Sequence, residues 1–263
     1  MTYLWTALSV QHDRSTAVRQ VVINNPPLGV LNQEVRRELG SFFLDAQADA
    51  SVRSIVFGSG PRSFCAGADL REYAARLDPA VAREHVANAH RMILALVELD
   101  VPCIASIRGV CMGGGLELAL GCSYRIAARD ATMAFPEVTR GAWPGTGGCV
   151  LLERQIGPSL AKRLLYTGQL VDATTALAMG LIDEVVDVEV LDQRSHEFAG
   201  QISSQPRSSI QTMSRLVNRD FRTQFRLHLQ YESECFVQAY QLPAAREGYK
   251  AFFEKRPPLW QHG

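Results

Sequence analysis

The spacing of apolar residues changes along the chain. Residues 3–12 and 17–23 read as two strands joined by the polar turn Asp13-Arg14-Ser15-Thr16. Asn24-Asn25-Pro26-Pro27 ends the second strand, and Asn32 or a neighbour is placed to cap a helix running to about residue 48. Residues 54–58 form a short buried strand, followed by the loop Gly58-Ser59-Gly60-Pro61. Over 79–99 the period is helical: Ala89, Met92, Ile93, Leu96 and Val97 fall on one stripe, and Pro102 stops it. A strand over 102–108 then enters a glycine turn and a helix to about residue 121. Strands over 124–128 and 132–135 flank the turn Arg129-Asp130. A glycine-rich loop over 141–148 follows, then helices near 147–155, 158–166 and 172–179, and a strand over 182–186. Beyond residue 190 the strands give way to helices over roughly 190–204, 207–218, 221–241 and 243–255. Repeated strand–strand–helix units followed by helices alone predict an α/β core over 1–195 and a helical module over 196–263. No linker-like stretch separates them, so the tail packs on its own core or on a neighbour.

Composition narrows the function. A chain of 263 residues, 47% apolar and 21% charged, suits one large globular domain or a domain with an appendage. Zero formal net charge gives no broad attraction to nucleic acid or to an anionic membrane. No apolar run approaches the ~20 residues of a membrane span. The start Met1-Thr2-Tyr3-Leu4-Trp5 has no signal-peptide character. The six cysteines (65, 103, 111, 122, 149 and 235) stand among apolar residues without Cys-x-x-Cys or zinc spacing. They read as buried thiols of a reducing cytoplasm. His85 and His90 lie five apart, on different faces of their helix, and no metal site is expected.

The candidate chemistry centres on Gly113-Gly114-Gly115-Leu116-Glu117. Glycines between a strand and a helix leave backbone N–H groups pointing outward, at a helix end that favours negative charge. Glu117 lies about one turn beyond Gly114 on the same face. An amide able to hold a developing oxyanion beside a carboxylate outlines a reaction centre. Taken alone, three glycines equally suit a tight packing point. A second run of small residues, Phe64-Cys65-Ala66-Gly67-Ala68-Asp69-Leu70, would let a ligand approach the backbone, or would form a packed turn.

Together these stretches resemble the crotonase (enoyl-CoA hydratase/isomerase) superfamily. The resemblance rests on residues 64–70 and 109–120, on Phe135-Pro136-Glu137 and Pro144-Gly145-Thr146-Gly147-Gly148, and on Arg246-Glu247-Gly248 with the run 251–256. It implies the α/β crotonase (ClpP-like) spiral of repeated ββα units, with a C-terminal helical module that builds a homotrimer or a hexamer. It implies an acyl-CoA substrate, with coenzyme A as part of the substrate and no separate cofactor. The oxyanion hole maps to the N–H groups of Ala68 and Gly114. The coenzyme A contacts map to Arg62, Ala66, Asp69, Leu70 and Arg71, with Phe252 and Lys255 contributed by a neighbouring subunit. Hydratases of this family carry two glutamates, which map to Glu117 and Glu137. By resemblance Glu117 activates water and Glu137 exchanges the α-proton. The implied activity is hydration of a 2-enoyl-CoA. Another crotonase reaction (isomerisation, thioester hydrolysis, carbon–carbon cleavage) and a catalytically idle binding member stand as alternatives.

The chain also departs from the family pattern. Ser123 stands where Asp is common, and Cys149 where Thr or Ser is common. Arg140 and Trp143 follow Glu137, where smaller or apolar residues are frequent. At the acyl end of the pocket they would shorten it and read a polar group. On the bland reading they are a surface ion pair and a core residue. A buried Arg140 needs a partner: the substrate, Glu137 or another acid.

Overall fold

The computed structural model describes residues 5–260. The first strand, β1 (Leu8–Asp13), pairs antiparallel with β2 (Val18–Ile23), as the turn chemistry predicts. The part of that expectation over residues 3–4 lies outside the described residues. Asn32 caps α1 (Gln33–Ala48), its side chain accepting from Val35 N–H at 2.9 Å.

Three units then repeat one plan. Strands β3 (Ser54–Gly58) and β4 (Ser63–Cys65) precede α2 (Pro79–Val97). Strands β5 (Cys103–Ile107) and β6 (Val110–Met112) precede α3 (Gly114–Gly121). Strands β7 (Tyr124–Ala128) and β8 (Thr132–Ala134) precede α4 (Gly148–Thr167). The first strand of each unit joins a six-stranded sheet, ordered β1-β2-β3-β5-β7-β10, where β10 is Glu184–Val186. The second joins a four-stranded sheet, β4-β6-β8-β9, where β9 is Val171–Asp172. Within both sheets the repeated strands run parallel, so each unit advances the spiral by one strand per sheet. This is the ββα spiral that the resemblance implies. Strands β3 and β5 are buried at every position, which explains their unbroken apolar character.

Several boundaries differ from the sequence reading. Residues 63–65 and 110–112 are strands of three residues each, where turns were expected. Three residues are too few for an alternation to register. The helices expected near 147–155 and 158–166 follow one another without a loop in α4 and are parted at Gly157, whose φ of +76° and ψ of 164° are not helical, as the sequence reading had it. The helices expected over 207–218 and 221–241 are one, α7 (Arg207–Ala239). Asn218-Arg219-Asp220 lower helix propensity, but tertiary contacts hold the helix across them. Arg215 and Arg222 both pair with the buried Asp100, at 2.5 and 2.8 Å, and Arg222 also donates to the carbonyls of Val97 and Leu99.

The helical tail packs on its own core. The boundary expected at residue 195 falls inside α6 (Leu191–Ser203), which lies against the six-stranded sheet through Leu191 and Ala199. Phe225 and Leu229 of α7 belong to the main core. Phe236, Ala239 and Tyr240, with Ala245 of α8 (Pro243–Phe253), close over Tyr73, Ala82 and Val86. Cysteines 65, 103, 111 and 122 are buried as expected, whereas Cys149 and Cys235 are half-buried. Among the described residues no helix is long and apolar enough to cross a membrane.

Candidate functional site

Each glycine of the triplet has its own geometry. Gly115 is the packing point, since a methyl there would fall 2.2 Å from the Cys65 carbonyl oxygen. Gly113, with φ +51°, turns the chain from β6 into α3 in a conformation that side chains disfavour. Gly114 is the first residue of α3, so its N–H has no acceptor within the helix. Across from it, Leu31 makes a parallel bridge around Ala68: Leu31 N–H donates to Gly67 O at 2.8 Å, and Asp69 N–H donates to Leu31 O at 3.0 Å. The Ala68 N–H between them points the other way, toward α3. A methyl on Gly114 would lie 3.9 Å from Ala68 N, and one on Gly67 would lie 3.4 Å from Gly114 N. The two amides thus border one small space.

Two carboxyl groups converge on the same turn. A methyl on Gly113 would fall 2.4 Å from Glu137 Oε1, and one on Gly114 would fall 3.7 Å from Glu117 Oε2. Glu117 is 2% exposed. Its Oε1 accepts the N–H groups of Thr146 at 2.7 Å and Gly148 at 2.8 Å. Glu137 sits in the 3-10 turn Pro136–Arg140, and its Oε2 is buried without a hydrogen-bond partner. Burial pushes both acids up, Glu137 to about 7. Glu117 is also raised by the charges of Glu232 and Glu137, against the two amides that favour its ionised form. Two neighbouring buried carboxyl groups share protons as a pair. The amides on Glu117 favour charge there and the bare Oε2 of Glu137 favours a proton there, while the Arg140 guanidinium favours the ionised form of Glu137 and the Glu232 charge disfavours that of Glu117.

Both acids and both amides line a cavity of about 460 Å³. Ala66, Leu70, Arg140 and Trp143 line it too, so the structure brings these expected residues together. It leaves the remaining candidates outside the lining. Arg62 and Lys255 are exposed. Asp69 is buried, caps the following 3-10 turn by accepting Arg71 N–H at 2.9 Å, and ion-pairs the exposed Arg71 guanidinium at 2.7 Å. Phe252 was expected from a neighbouring subunit, yet it lines the cavity of its own chain. The cause is α8, whose Gly248 lies so close to the Arg140 backbone that a methyl there would fall 2.2 Å from Arg140 O.

Arg140 has no carboxylate within ion-pairing distance among the described residues. Its guanidinium lies over the Phe252 ring, 4.7 Å from the centroid, and its Nε is buried without a partner. Burial weakens its hold on its proton, and Glu137 lies close enough to oppose that effect. Trp143 packs against the aromatic cluster of Tyr73, Phe236 and Tyr240. The two departures elsewhere are structural. Ser123 Oγ accepts Cys103 N–H at 3.3 Å, outside the cavity lining. Burial, with the charges of three glutamates, pushes the Cys149 thiol up to about 12, which suits packing rather than nucleophilic attack.

Sequence reasoning missed the inner wall. Arg36 and Arg76 line the cavity, both bonded to Glu72. His85 stacks on Phe236 at 5.6 Å. Tyr73 and Tyr249 stack at 3.8 Å, tying α8 to the 3-10 turns after Asp69. Also missed was Glu232, on the buried stripe with Leu229 and Phe236. An acid at a core-facing helical position was a readable signal.

Comparison with known proteins places this architecture. A family model described as enoyl-CoA hydratase/isomerase matches residues 13–263. The crotonyl-CoA hydratase of Syntrophomonas wolfei is 34% identical over 236 residues, covering 89% of this chain and 90% of that protein. The crystal structure of carnitinyl-CoA hydratase from Mycobacterium avium is 30% identical, with a TM-score of 0.87 over 98% of this chain and 99% of that one. DspI of Pseudomonas aeruginosa is 34% identical, with a TM-score of 0.79 over 97% of both chains. The chain belongs to the enoyl-CoA hydratase/isomerase family of the crotonase superfamily.

Proposed function

We propose that the protein is a 2-enoyl-CoA hydratase. The observation that carries the reading is the convergence of two buried carboxyl groups on the turn that presents the Gly114 amide, with the Ala68 amide across from it. The thioester oxygen accepts both N–H groups and gains negative charge as the α-carbon becomes enolate-like. Donors fixed in advance stabilise that charge by up to about 3 kcal/mol each. Glu117, oriented by the Thr146 and Gly148 amides, takes a proton from water as the oxygen bonds to the β-carbon. Glu137 gives its proton to the α-carbon. One water is added, and the pair's proton moves from Glu137 to Glu117. Coenzyme A belongs to the substrate, and these steps call on no other cofactor. Ala66 and Leu70 line the cavity along its path, and the exposed Arg62, Arg71 and Lys255, outside that lining, are the cations this reading assigns to its phosphates. Assembly as a homotrimer or a dimer of trimers is part of this reading, supported by Leu216 and Val217 of α7, exposed by 71% and 73%.

Incubating saturated and 2-unsaturated acyl-CoAs with the protein, followed by mass spectrometry, tests the reaction. Only the 2-unsaturated thioesters should gain one water. Release of free coenzyme A, or an isomer of unchanged mass, would favour another crotonase reaction.

The pH dependence follows from Glu137. Its ionisation lies near 7 rather than at the ordinary 4.5, so the proton it must donate is present below that point and lost above it. Hydration kcat/KM should therefore fall as pH rises through about 7, measured with crotonyl-CoA. A rate that stays level through and well above that pH would remove Glu137 from the donor role.

Arg140 and Trp143 give the reading a substrate class. A half-buried guanidinium with an aromatic ring beside it, and no carboxylate within ion-pairing distance among the described residues, suits an acyl group ending in a carboxylate or carbonyl. Trp143 fills part of the cavity, which suits short or flat acyl groups. Arg140→Leu should cut kcat/KM about tenfold to a hundredfold for a carboxylate-ended enoyl-CoA, leaving crotonyl-CoA little changed. Trp143→Ala should shift preference toward longer chains. Equal changes on every substrate would mean that neither side chain reads the acyl group.

A further inference from the structure

Three successive amides where the loop enters α4 are divided between two buried carboxylates. Thr146 and Gly148 N–H donate to Glu117, as described, and Gly147 N–H between them donates to Glu232 Oε1 at 2.9 Å. The same Glu232 oxygen lies 3.0 Å from His90 Nε2, which is also 3.2 Å from Gly145 O. Its other oxygen lies 3.4 Å from His228 Nε2. Glu232 is 4% exposed and stands on the apolar stripe of α7. A leucine would fill such a position without the cost of burying a charge. The carboxylate instead grips the loop from the side opposite Glu117, with α2 supplying the histidine that steadies it.

We infer that Glu232 is a positioning residue for the chemistry assigned above to Glu117: by holding Gly147 it fixes the Thr146 and Gly148 amides that orient Glu117. The inference rests on the two-glutamate hydration reading. It also ties α7 to the active site, through the amide of one glycine. A second consequence is electrostatic. Burial pushes Glu232 up, but donors from His228, His90 and Gly147 outweigh it and keep the group ionised. Its charge is then felt by Glu117 on α3 and by Cys149 on α4, along with that of Glu137, which Arg140 faces. His85, five residues before His90 on α2, is held below its ordinary value by burial and by the charges of Arg76, Arg36 and His90. Removing the Glu232 charge should let Glu117 ionise more easily, so its base form persists to lower pH.

Two variants separate positioning from mere stability. Glu232→Leu removes the acceptor for Gly147, and kcat for crotonyl-CoA hydration should fall about a hundredfold while the Kd for unreactive butanoyl-CoA is unchanged. Glu232→Gln keeps an oxygen for Gly147, so most of kcat should return, with the acid limb of the pH profile moved to lower pH. A Leu variant with wild-type kcat would overturn the inference. So would parallel loss of kcat and butanoyl-CoA binding, or a Gln variant whose acid limb has not moved. Should the Leu variant not fold, the Gln profile decides alone. If the wild type hydrates no enoyl-CoA, the hydratase reading fails by itself. Glu117 can then be titrated directly by its carboxyl carbon resonance, assigned with Glu117→Gln. Glu232→Gln must lower the pH at which it ionises, and an unmoved titration would reject the coupling.

Discussion

Glu137→Gln should lower kcat for hydration of crotonyl-CoA by at least about a hundredfold, with butanoyl-CoA binding retained. Glutamine keeps the shape of the side chain but has no acidic proton to give. No bonded side chain is at hand as a substitute donor, because Oε2 of Glu137 is buried without a hydrogen-bond partner among the described residues. Glu117→Gln should cost a similar factor for the complementary reason. Its amide would still fill the space, but one rotamer would turn an NH₂ toward the Thr146 and Gly148 N–H groups, and neither rotamer takes a proton from water. The double variant should lose less than the product of the two, since the carboxyl groups act as one unit. Steady-state kinetics paired with calorimetry of butanoyl-CoA binding measures both effects. Near-normal hydration by either single variant would reject the assignment.

Ending the chain at residue 205, before α7, should leave no soluble folded protein. The sequence alone left open whether the tail packs on its own core or on a neighbour. In the structure the apolar stripe of α7 is buried in its own chain. Phe225 and Leu229 are core residues, 0% and 3% exposed. Losing a buried Phe costs about 3–5 kcal/mol and a buried Leu about 2–5. Together these rival the whole ~5–15 kcal/mol stability of a typical domain. The cut also leaves the buried Asp100 without Arg215 and Arg222, and Gly147 without Glu232. Gel filtration and thermal unfolding of the truncated chain decide the matter. A soluble fragment with a cooperative transition would mean that the core is self-sufficient and the tail an appendage.

What could be read in the sequence divides along physical lines. The α2 stripe of Ala89, Met92, Ile93, Leu96 and Val97 was legible because a long helix buries one face, and all five residues are buried. The Asn32 cap was legible because its side chain acts locally. Strands β4 and β6 were not, since three residues held by pairing from another unit carry no period of their own. The same holds within the site. Gly113, Gly114 and Glu117 stand together in sequence, and their chemistry could be argued from spacing. Glu137 needed the family resemblance, because its approach to Gly113 is made by a separate unit of the spiral. The roof of the cavity was out of reach for a related reason. Tyr249 meets Leu70, and Tyr73 meets Ala245, across more than 170 residues of chain. Arg140 lay between these cases: the need for a partner was legible, and the structure supplied the Phe252 ring rather than an acid.

In the proposed reaction Glu117 and Glu137 add water across a 2,3-double bond while the thioester stays intact. Hydration of crotonyl-CoA in heavy-oxygen water, followed by mass spectrometry of the product, tests it most directly. The account predicts one heavy oxygen at the β-carbon of an intact 3-hydroxyacyl-CoA, formed by the wild type and nearly absent with Glu117→Gln. Heavy oxygen appearing instead in a free carboxylic acid, or an isomerised thioester with none, would contradict it.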